Sequence, residues 1–216
     1  GGPEERQRAV DFFAEGNAPP PPAPASSSAS GDASDASEVR AAGRGLAVLE
    51  VTFQAPAVVA RLRVEQALAA REAGTLGDAR PLAVITDVDE TVLLSGAYWG
   101  QLIADGGDFF DDATWDAWVP SNQFVASPGA REFAAFCEAN EVTLFFVTNR
   151  DQGEATFELA LGNLQAAGFD NARADHLRVL RDTSNKEAVQ AQIRSDYHVI
   201  ASLGDNLNDF ARRYYV

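Results

Sequence analysis

The sequence has 216 residues, of which 46% are hydrophobic and 23% charged, and this composition is typical of a globular domain with its own core. The formal net charge of −15 repels the phosphate backbones of DNA and RNA, which argues against a nucleic-acid polymer as partner. The single cysteine, Cys137, excludes an intrachain disulfide, and its apolar neighbours predict a buried thiol.

Residues 1–45 are predicted to be a linker rather than part of a folded core. Residues 17–35 are rich in proline, alanine and serine, and such a segment buries too little apolar surface to offset its ordering entropy. No hydrophobic signal core precedes it. A Pro/Ser-rich tether suits a processed protein, so we expect an extracytoplasmic location, periplasmic or at the cell surface, with a membrane tether through the processed N-terminus. The residues alone leave a cytoplasmic location open.

A folded domain is predicted from residue 46 to residue 216. Its first element is a helix whose apolar stripe includes Val59, Leu62 and Val64 and which ends near Gly74. The apolar run at 82–86 predicts a fully buried strand, with Asp87 directly after it. Segment 94–127 holds all three tryptophans and has poor periodicity, so we predict an irregular aromatic insert with one short helix at 112–119.

The second half of the domain alternates between helices and strands. Ser127 and Pro128 predict the N-cap and the first residue of a helix that ends near residue 139. Strands are predicted at 143–147, 176–180 and 197–203, with helices at 153–167 and 186–194 between them. This alternation indicates an α/β fold, with a Rossmann-like parallel sheet, helices on both of its faces and a small aromatic cap insert.

Polar side chains follow the predicted strands at the edge where parallel sheets bind ligands. The residues at this edge are Asp87, Asp89, Thr148, Asn149, Arg150, Asp205 and Asp209, with Lys186 at the start of a helix. Carboxylates from two strand ends predict a shared hard cation with oxygen ligands. A hydroxyl, an amide and the only lysine of the sequence predict a phosphate site beside it. Each group alone is typical of an ordinary loop, so the prediction depends on their convergence.

In chain order, these motifs resemble those of the haloacid dehalogenase superfamily. Within it they resemble the class C acid phosphatases and 5'-nucleotidases, which include bacterial surface lipoproteins. The matching segments are DVDETVL at 87–93, WDAW at 115–118, VTNR at 147–150 and GDNLNDF at 204–210. The resemblance implies a metal-dependent phosphomonoesterase on a parallel α/β domain with a small cap.

The resemblance also implies how the reaction proceeds. Asp87 is expected to attack phosphorus and form an aspartyl-phosphate, and Asp89 is expected to act as general acid and then as general base. Mg²⁺ is expected to be held by Asp87, the backbone carbonyl of Asp89 and Asp205, with Asp209 in support.

On the substrate side, the resemblance implies that Thr148 and Lys186 bind the phosphoryl oxygens of a small phosphomonoester. Asn149 belongs to the same predicted phosphate cradle. The insert at 94–127 takes the position of a cap over the site, where Trp115 is expected to stack on the base of a nucleoside 5'-monophosphate.

Alternatives to the nucleotide phosphatase remain open. If the cap aromatics only pack the insert, which is the preferred interpretation for Trp99 and Trp118, the substrates are sugar phosphates or other small phosphates. A non-catalytic binding or storage protein on this fold is typically marked by a lost nucleophile, whereas Asp87 is present. A phosphomutase needs a larger cap than 94–127 offers.

Two departures from the family pattern lead to further expectations. Leu94 and Ser95 stand where family members carry Asp-Asn, so we expect the cap loop to be held differently here. Family members continue beyond the fourth motif with another strand and more substrate contacts, whereas this sequence ends at Val216. We therefore expect one sheet edge and part of the substrate wall to be absent, truncated or unseen in this sequence.

Overall fold

The computed structural model describes residues 57–211 and 213, so the predicted linker at 1–45 and the predicted domain start at 46 lie outside the described residues. The helices are α1 (57–72), α2 (Gly96–Ala104), α3 (Asp112–Trp118), α4 (Ala130–Ala139), α5 (Thr156–Ala166) and α6 (Glu187–Asp196). The strands are β1 (Leu82–Thr86), β2 (Leu93–Leu94), β3 (Val125–Ala126), β4 (Thr143–Asn149), β5 (Leu177–Leu180) and β6 (His198–Leu203). Among the described helices, none is both long and apolar enough to cross a bilayer.

The main sheet has the strand order β5-β4-β1-β6, and every neighbouring pair is parallel. Strand β1 is central and all five of its residues are buried, which explains its unbroken run of apolar and β-branched residues. In the register, Thr86 lies opposite Phe146 of β4 and Leu203 of β6, so these strands end at one edge. The predicted parallel α/β fold is therefore confirmed.

Helices cover both faces of this sheet because successive strand residues point to opposite sides. One face carries Val84 of β1, which belongs to the core formed with Phe133 of α4 and Leu164 of α5. The other face carries Ile85, which packs with Ile193 of α6. The two helical layers fix the sheet from both sides and leave its carboxyl edge open for polar groups.

Helix α1 differs from the predicted apolar stripe. Its buried residues are Ala60, Val64 and Ala67, which are spaced by one helical turn. Val59 and Leu62 remain 57% and 51% exposed. The prediction was wrong for these two residues because they point away from the buried stripe, to a side of the helix that no described element covers.

The start of α4 also corrects the sequence prediction. Ser127 and Pro128 are not its N-cap and first residue, since the helix begins at Ala130 and is preceded by Gly129 with φ 79°. The backbone N–H of Ala130 donates to the carbonyl of Ser127 at 3.0 Å, which closes a β-turn with Pro128 and Gly129 at its centre. Glycine is needed in this second central position because its φ is positive.

The insert is more regular than predicted. Besides α3, which lies close to the predicted helix at 112–119, it contains α2 and a small antiparallel pairing of β2 with β3. The Asp111 carboxylate caps α3 by accepting a hydrogen bond from the backbone N–H of Thr114 at 2.8 Å. Helix α2 was missed because its nine residues include two glycines and three bulky aromatic or β-branched residues, all poor helix formers.

Candidate active site

The site is built around Asp87, which follows β1 directly and is 7% exposed. Its backbone N–H donates to the carbonyl of Leu203 at 2.9 Å, which continues the β1–β6 pairing and fixes the residue at the sheet edge. The ammonium group of Lys186 donates to its Oδ1, and the Thr91 hydroxyl donates to its Oδ2 at 2.9 Å. Both carboxylate oxygens are therefore oriented by the protein.

Lys186 joins two carboxylates of this edge. Besides Asp87, its Nζ contacts Oδ1 of Asp209 at 2.8 Å, and all three side chains are buried. Burial lowers the pKa of Lys186, but the two carboxylates outweigh this effect and raise it above its ordinary value. Burial raises the pKa of Asp87 to about 6, although Lys186 opposes this shift. One ammonium group thus only partly compensates the buried negative charge.

Asp205 completes a group of carboxylates that could hold a metal ion. One carboxylate oxygen from each of Asp87, Asp205 and Asp209 lies within 4.8 Å of the others. Burial raises the pKa of Asp205, and the negative charge of Asp209 adds to this shift. Oxygen donors with an excess of negative charge fit a hard divalent cation, so the structure contains a possible acidic metal site.

The loop after β6 is shaped to bring Asp209 into this group. The backbone N–H of Asn206 donates to Oδ2 of Asp209 at 3.1 Å. A side chain at Gly204 would place its Cβ 2.7 Å from the same carboxylate oxygen. The position therefore requires glycine because the Asp209 carboxylate packs against the backbone.

Asp89 occupies the opposite side of the site, where it is held by β4. The Thr148 hydroxyl donates to its Oδ2 at 3.0 Å, and Arg150 donates to both oxygens, from Nε at 2.8 Å and from Nη2 at 2.5 Å. The Asp89 side chain is 23% exposed, whereas that of Arg150 is 1% exposed. The Asp89 carboxylate thus pairs with a buried guanidinium group and stays apart from the acidic metal site. The predicted metal contact through its backbone carbonyl stays a prediction.

Asn149 lies between Thr148 and Arg150 in sequence, but its side chain bonds to a different segment and not to Asp89. Its side-chain amide donates to the carbonyls of Leu180 at 2.7 Å and Thr183 at 2.9 Å. These bonds tie the end of β4 to the segment that leads to Lys186. The structure therefore gives Asn149 a positioning contact with the segment before Lys186, and direct binding of phosphate by Asn149 or Thr148 stays a prediction.

Trp115 is packed inside the insert and is 9% exposed. Its ring centroid lies 5.0 Å from that of Tyr98, 5.6 Å from that of Trp118 and 5.7 Å from that of Phe124. These contacts favour a structural role over stacking on a substrate base. Phe109, by contrast, is 83% exposed on the same insert.

Sequence reasoning missed several groups that shape the site. Arg150 was placed at the sheet edge without a role, and Thr91 was not singled out as a partner of Asp87. Glu90, which has φ 58°, accepts hydrogen bonds from the backbone N–H of Ser95 at 3.2 Å and from its hydroxyl. This contact ties the loop after β1 to Ser95, the residue directly before α2. For Glu90 and Thr91 the available signal was their place inside the first motif, directly after its two aspartates.

The fold and the two carboxylates after β1 define a protein of the haloacid dehalogenase type. Residues 51–214 match the family model described as HAD superfamily, subfamily IIIB (Acid phosphatase), so the chain belongs to this family, which confirms the resemblance.

Two solved structures, both described as class C acid phosphatase from Bacillus anthracis, share the fold. One, with tungstate bound, is 23% identical over 75% of this chain and has a TM-score of 0.66. The other is 19% identical over 97% of this chain and has a TM-score of 0.68. The chain spans 65% of the length of the first and 72% of the second. At these identities the similarity concerns the fold.

Proposed function

We propose that this protein is a Mg²⁺-dependent acid phosphatase of the class C type that hydrolyses small phosphomonoesters. The observation that carries the proposal is the difference in environment between two carboxylates that follow the same strand, β1. Asp87 is buried against Lys186 and belongs to the acidic metal site, whereas Asp89 is partly exposed and oriented by Arg150. Asp87 lies beside Lys186 and two further carboxylates that could hold a cation, so its carboxylate is placed where the charge of a phosphoryl group would be compensated. Family membership supports the same assignment.

In the first step, a carboxylate oxygen of Asp87 attacks phosphorus and forms an aspartyl-phosphate. The bond between phosphorus and the leaving oxygen breaks, and Asp89 gives that oxygen its proton. In the second step, Asp89 takes a proton from water, and the water oxygen attacks phosphorus. The bond between phosphorus and Asp87 breaks, which releases inorganic phosphate and restores both carboxyl groups.

Charge compensation is the main requirement of phosphoryl transfer. Lys186 supplies one positive charge next to Asp87 and faces the place where the phosphoryl oxygens bind in this proposal. Asp87, Asp205 and Asp209 would hold Mg²⁺, with the backbone carbonyl of Asp89 as a further ligand. When bound, the ion would neutralise negative charge on the phosphoryl group.

The substrate class has two candidates. Nucleoside 5'-monophosphates follow from the similarity to class C acid phosphatases. The burial of Trp115 in the aromatic cluster of the insert favours the second candidate, a phosphatase for sugar phosphates or other small phosphates. Comparing kcat/KM for a nucleoside 5'-monophosphate and a sugar phosphate separates them, because a stacking site raises the value only for the nucleotide.

The activity is tested by release of p-nitrophenol from p-nitrophenyl phosphate, with Mg²⁺ or with EDTA. We expect release to require the metal and to fall by about 10³-fold or more in Asp87→Asn, which removes the nucleophile. Asp151→Asn is the matched control, since this exposed carboxylate pairs with Arg181 on the same side of the sheet and should leave the rate unchanged. Full activity of Asp87→Asn, or of the native protein in EDTA, would contradict the proposal.

A further inference from the structure

Asn163 is a buried polar residue in the middle of α5. It is 1% exposed, and its helical neighbours Ala160 and Leu164 belong to the apolar core. An amide in such a place is costly unless all its polar atoms are bonded. Its Oδ1 accepts a hydrogen bond from Nη1 of Arg150 at 2.8 Å. Its Nδ2 donates to the carbonyl of Val119 at 3.1 Å and to Oδ1 of Asn122 at 2.5 Å.

These bonds connect the insert to the proposed general acid. Val119 and Asn122 lie in the turn that ends the helical part of the insert, and Asn122 has φ 55°. Arg150 carries the connection on to both carboxylate oxygens of Asp89. We call this series of hydrogen-bonded residues, Asn122, Asn163, Arg150 and Asp89, the cap–acid network.

We propose that Asn163 is a positioning residue, which sets the orientation of Asp89 through Arg150 and ties it to the cap insert. This inference rests on the proposed function, in which Asp89 protonates the leaving group. The guanidinium plane of Arg150 has three fixed contacts: Asp89 on one edge, Asn163 at Nη1, and the Phe124 ring 4.8 Å below its central carbon.

Loss of the Asn163 oxygen leaves a buried N–H of Arg150 without a partner. The guanidinium group must then tilt to find another acceptor, because an unpaired buried donor is costly. Since Arg150 binds Asp89 through two parallel bonds, any tilt moves the Asp89 carboxylate as well. A small displacement of a proton donor lowers its contribution to the rate, even when binding of the substrate is unchanged.

A leaving-group comparison distinguishes this role from a structural one. The p-nitrophenolate ion leaves without much help from an acid, whereas an alkoxide needs the proton. We therefore expect Asn163→Leu to lower kcat/KM for glycerol phosphate about tenfold more than for p-nitrophenyl phosphate. A residue that only supports the fold would lower both values by the same factor.

Two further variants make the test decisive. Asn122→Gly removes the cap end of the network at an exposed position and keeps a residue that accepts positive φ. We expect a smaller effect in the same direction, with kcat/KM for glycerol phosphate falling about threefold more than for p-nitrophenyl phosphate. Asn171→Leu is the matched control, since its amide donates to the carbonyl of Ala134 at 3.1 Å, outside the cap–acid network, and the ratio should stay at the native value.

Equal losses for both substrates in Asn163→Leu, or in Asn122→Gly if the first variant does not fold, would overturn the inference. A native protein that releases no phosphate, or an Asp87→Asn variant with native activity, would reject the proposed function as well. An active native protein with an unchanged substrate ratio in both variants would reject only the role of Asn163.

Discussion

The two sides of the candidate site handle charge in opposite ways. On the β6 side, among the described residues, the carboxylates of Asp87, Asp205 and Asp209 lie close together, and the ammonium group of Lys186 contacts two of them, Asp87 and Asp209. On the β4 side, the cap–acid network pairs one carboxylate with one guanidinium group and bonds the remaining polar atoms within the protein. The β6 side therefore has an excess of negative charge that a cation could neutralise. On the β4 side the charges of the carboxylate and the guanidinium group already cancel.

This difference separates binding from positioning. A cluster with uncompensated buried charge gains free energy when a cation binds, which is a property of ligand sites. A network whose charges already cancel gains no such free energy from a cation. Its hydrogen bonds instead fix the orientation of the side chains in it. We therefore expect variants on the β6 side to change metal and phosphate binding, and variants on the β4 side to change the proton-transfer step.

The largest effect is expected for Lys186→Met. This change leaves Asp87 and Asp209 buried without a counter-charge, which should lower the free energy of unfolding in EDTA by about 3–5 kcal/mol at pH 8. Phosphate release should fall by about 10³-fold, because the phosphoryl group loses its cationic contact. Urea unfolding and initial rates measure the two effects. Arg194→Met, which removes an exposed cation from the same helix, serves as control. A Lys186→Met variant with native stability would contradict the proposed excess of negative charge on the β6 side.

Arg150→Lys tests the balanced side. An ammonium group cannot make two parallel bonds to Asp89 and also reach Asn163 with the geometry of a guanidinium group. We expect kcat to fall about 10–100-fold with little change in KM, since the proton donor is displaced while the phosphate site remains. Steady-state kinetics at saturating Mg²⁺ provides the measurement. A variant with raised KM and native kcat would place Arg150 in substrate binding instead.

The raised pKa of Asp87 predicts a pH dependence of stability in the absence of metal. Because its pKa is about 6 in the folded state, against an ordinary value of 3.8 for an aspartate, the folded protein binds more protons between these pH values than the unfolded chain. Stability from this group is present below about pH 4 and is lost as the pH rises through about 6. Asp87→Asn should remove this slope and raise the free energy of unfolding at pH 7 by about 1–3 kcal/mol. Urea unfolding in EDTA from pH 4 to 8 tests this, and parallel curves for both proteins would refute it.

The smallest effect is expected where the cap loop meets the site. Ser95→Ala removes the hydroxyl that donates to Glu90 but keeps the backbone N–H that donates to the same carboxylate. The free energy of unfolding should fall by about 0.5–1.5 kcal/mol, with kcat within about twofold of the native value. Ser195→Ala, at an exposed serine on α6, is the control for urea unfolding. A loss of activity larger than the loss of stability would show that the loop belongs to the chemical machinery.

The parallel sheet and the acidic strand ends were predictable because their signals are local. The run at 82–86 is apolar and β-branched throughout, as a buried central strand requires, and Asp87 follows it at once. The order of the four motifs then indicated which strand ends meet. The metal group of Asp87, Asp205 and Asp209 agrees with that expectation in its geometry.

The cap–acid network and the burial of Trp115 were not predictable in the same way. Asn163 gains its meaning only when α5 packs beside both Arg150 and the turn after α3, which are separated from it by 13 and 41 to 44 positions in sequence. Its one local signal was an amide on the helix face that carries Ala160 and Leu164. The exposure of Trp115 likewise depends on how α2 and α3 pack against each other.

Calorimetric titration of Mg²⁺ into the protein tests the central claim most directly, because it asks whether the uncompensated carboxylates form one metal site. We predict one ion per chain for the native protein and for Asp151→Asn, and loss of binding in Asp205→Asn, which removes an exposed ligand while leaving the Asp87–Lys186 pair in place. Absence of Mg²⁺ binding by the native protein, or unchanged binding by Asp205→Asn, would contradict the account.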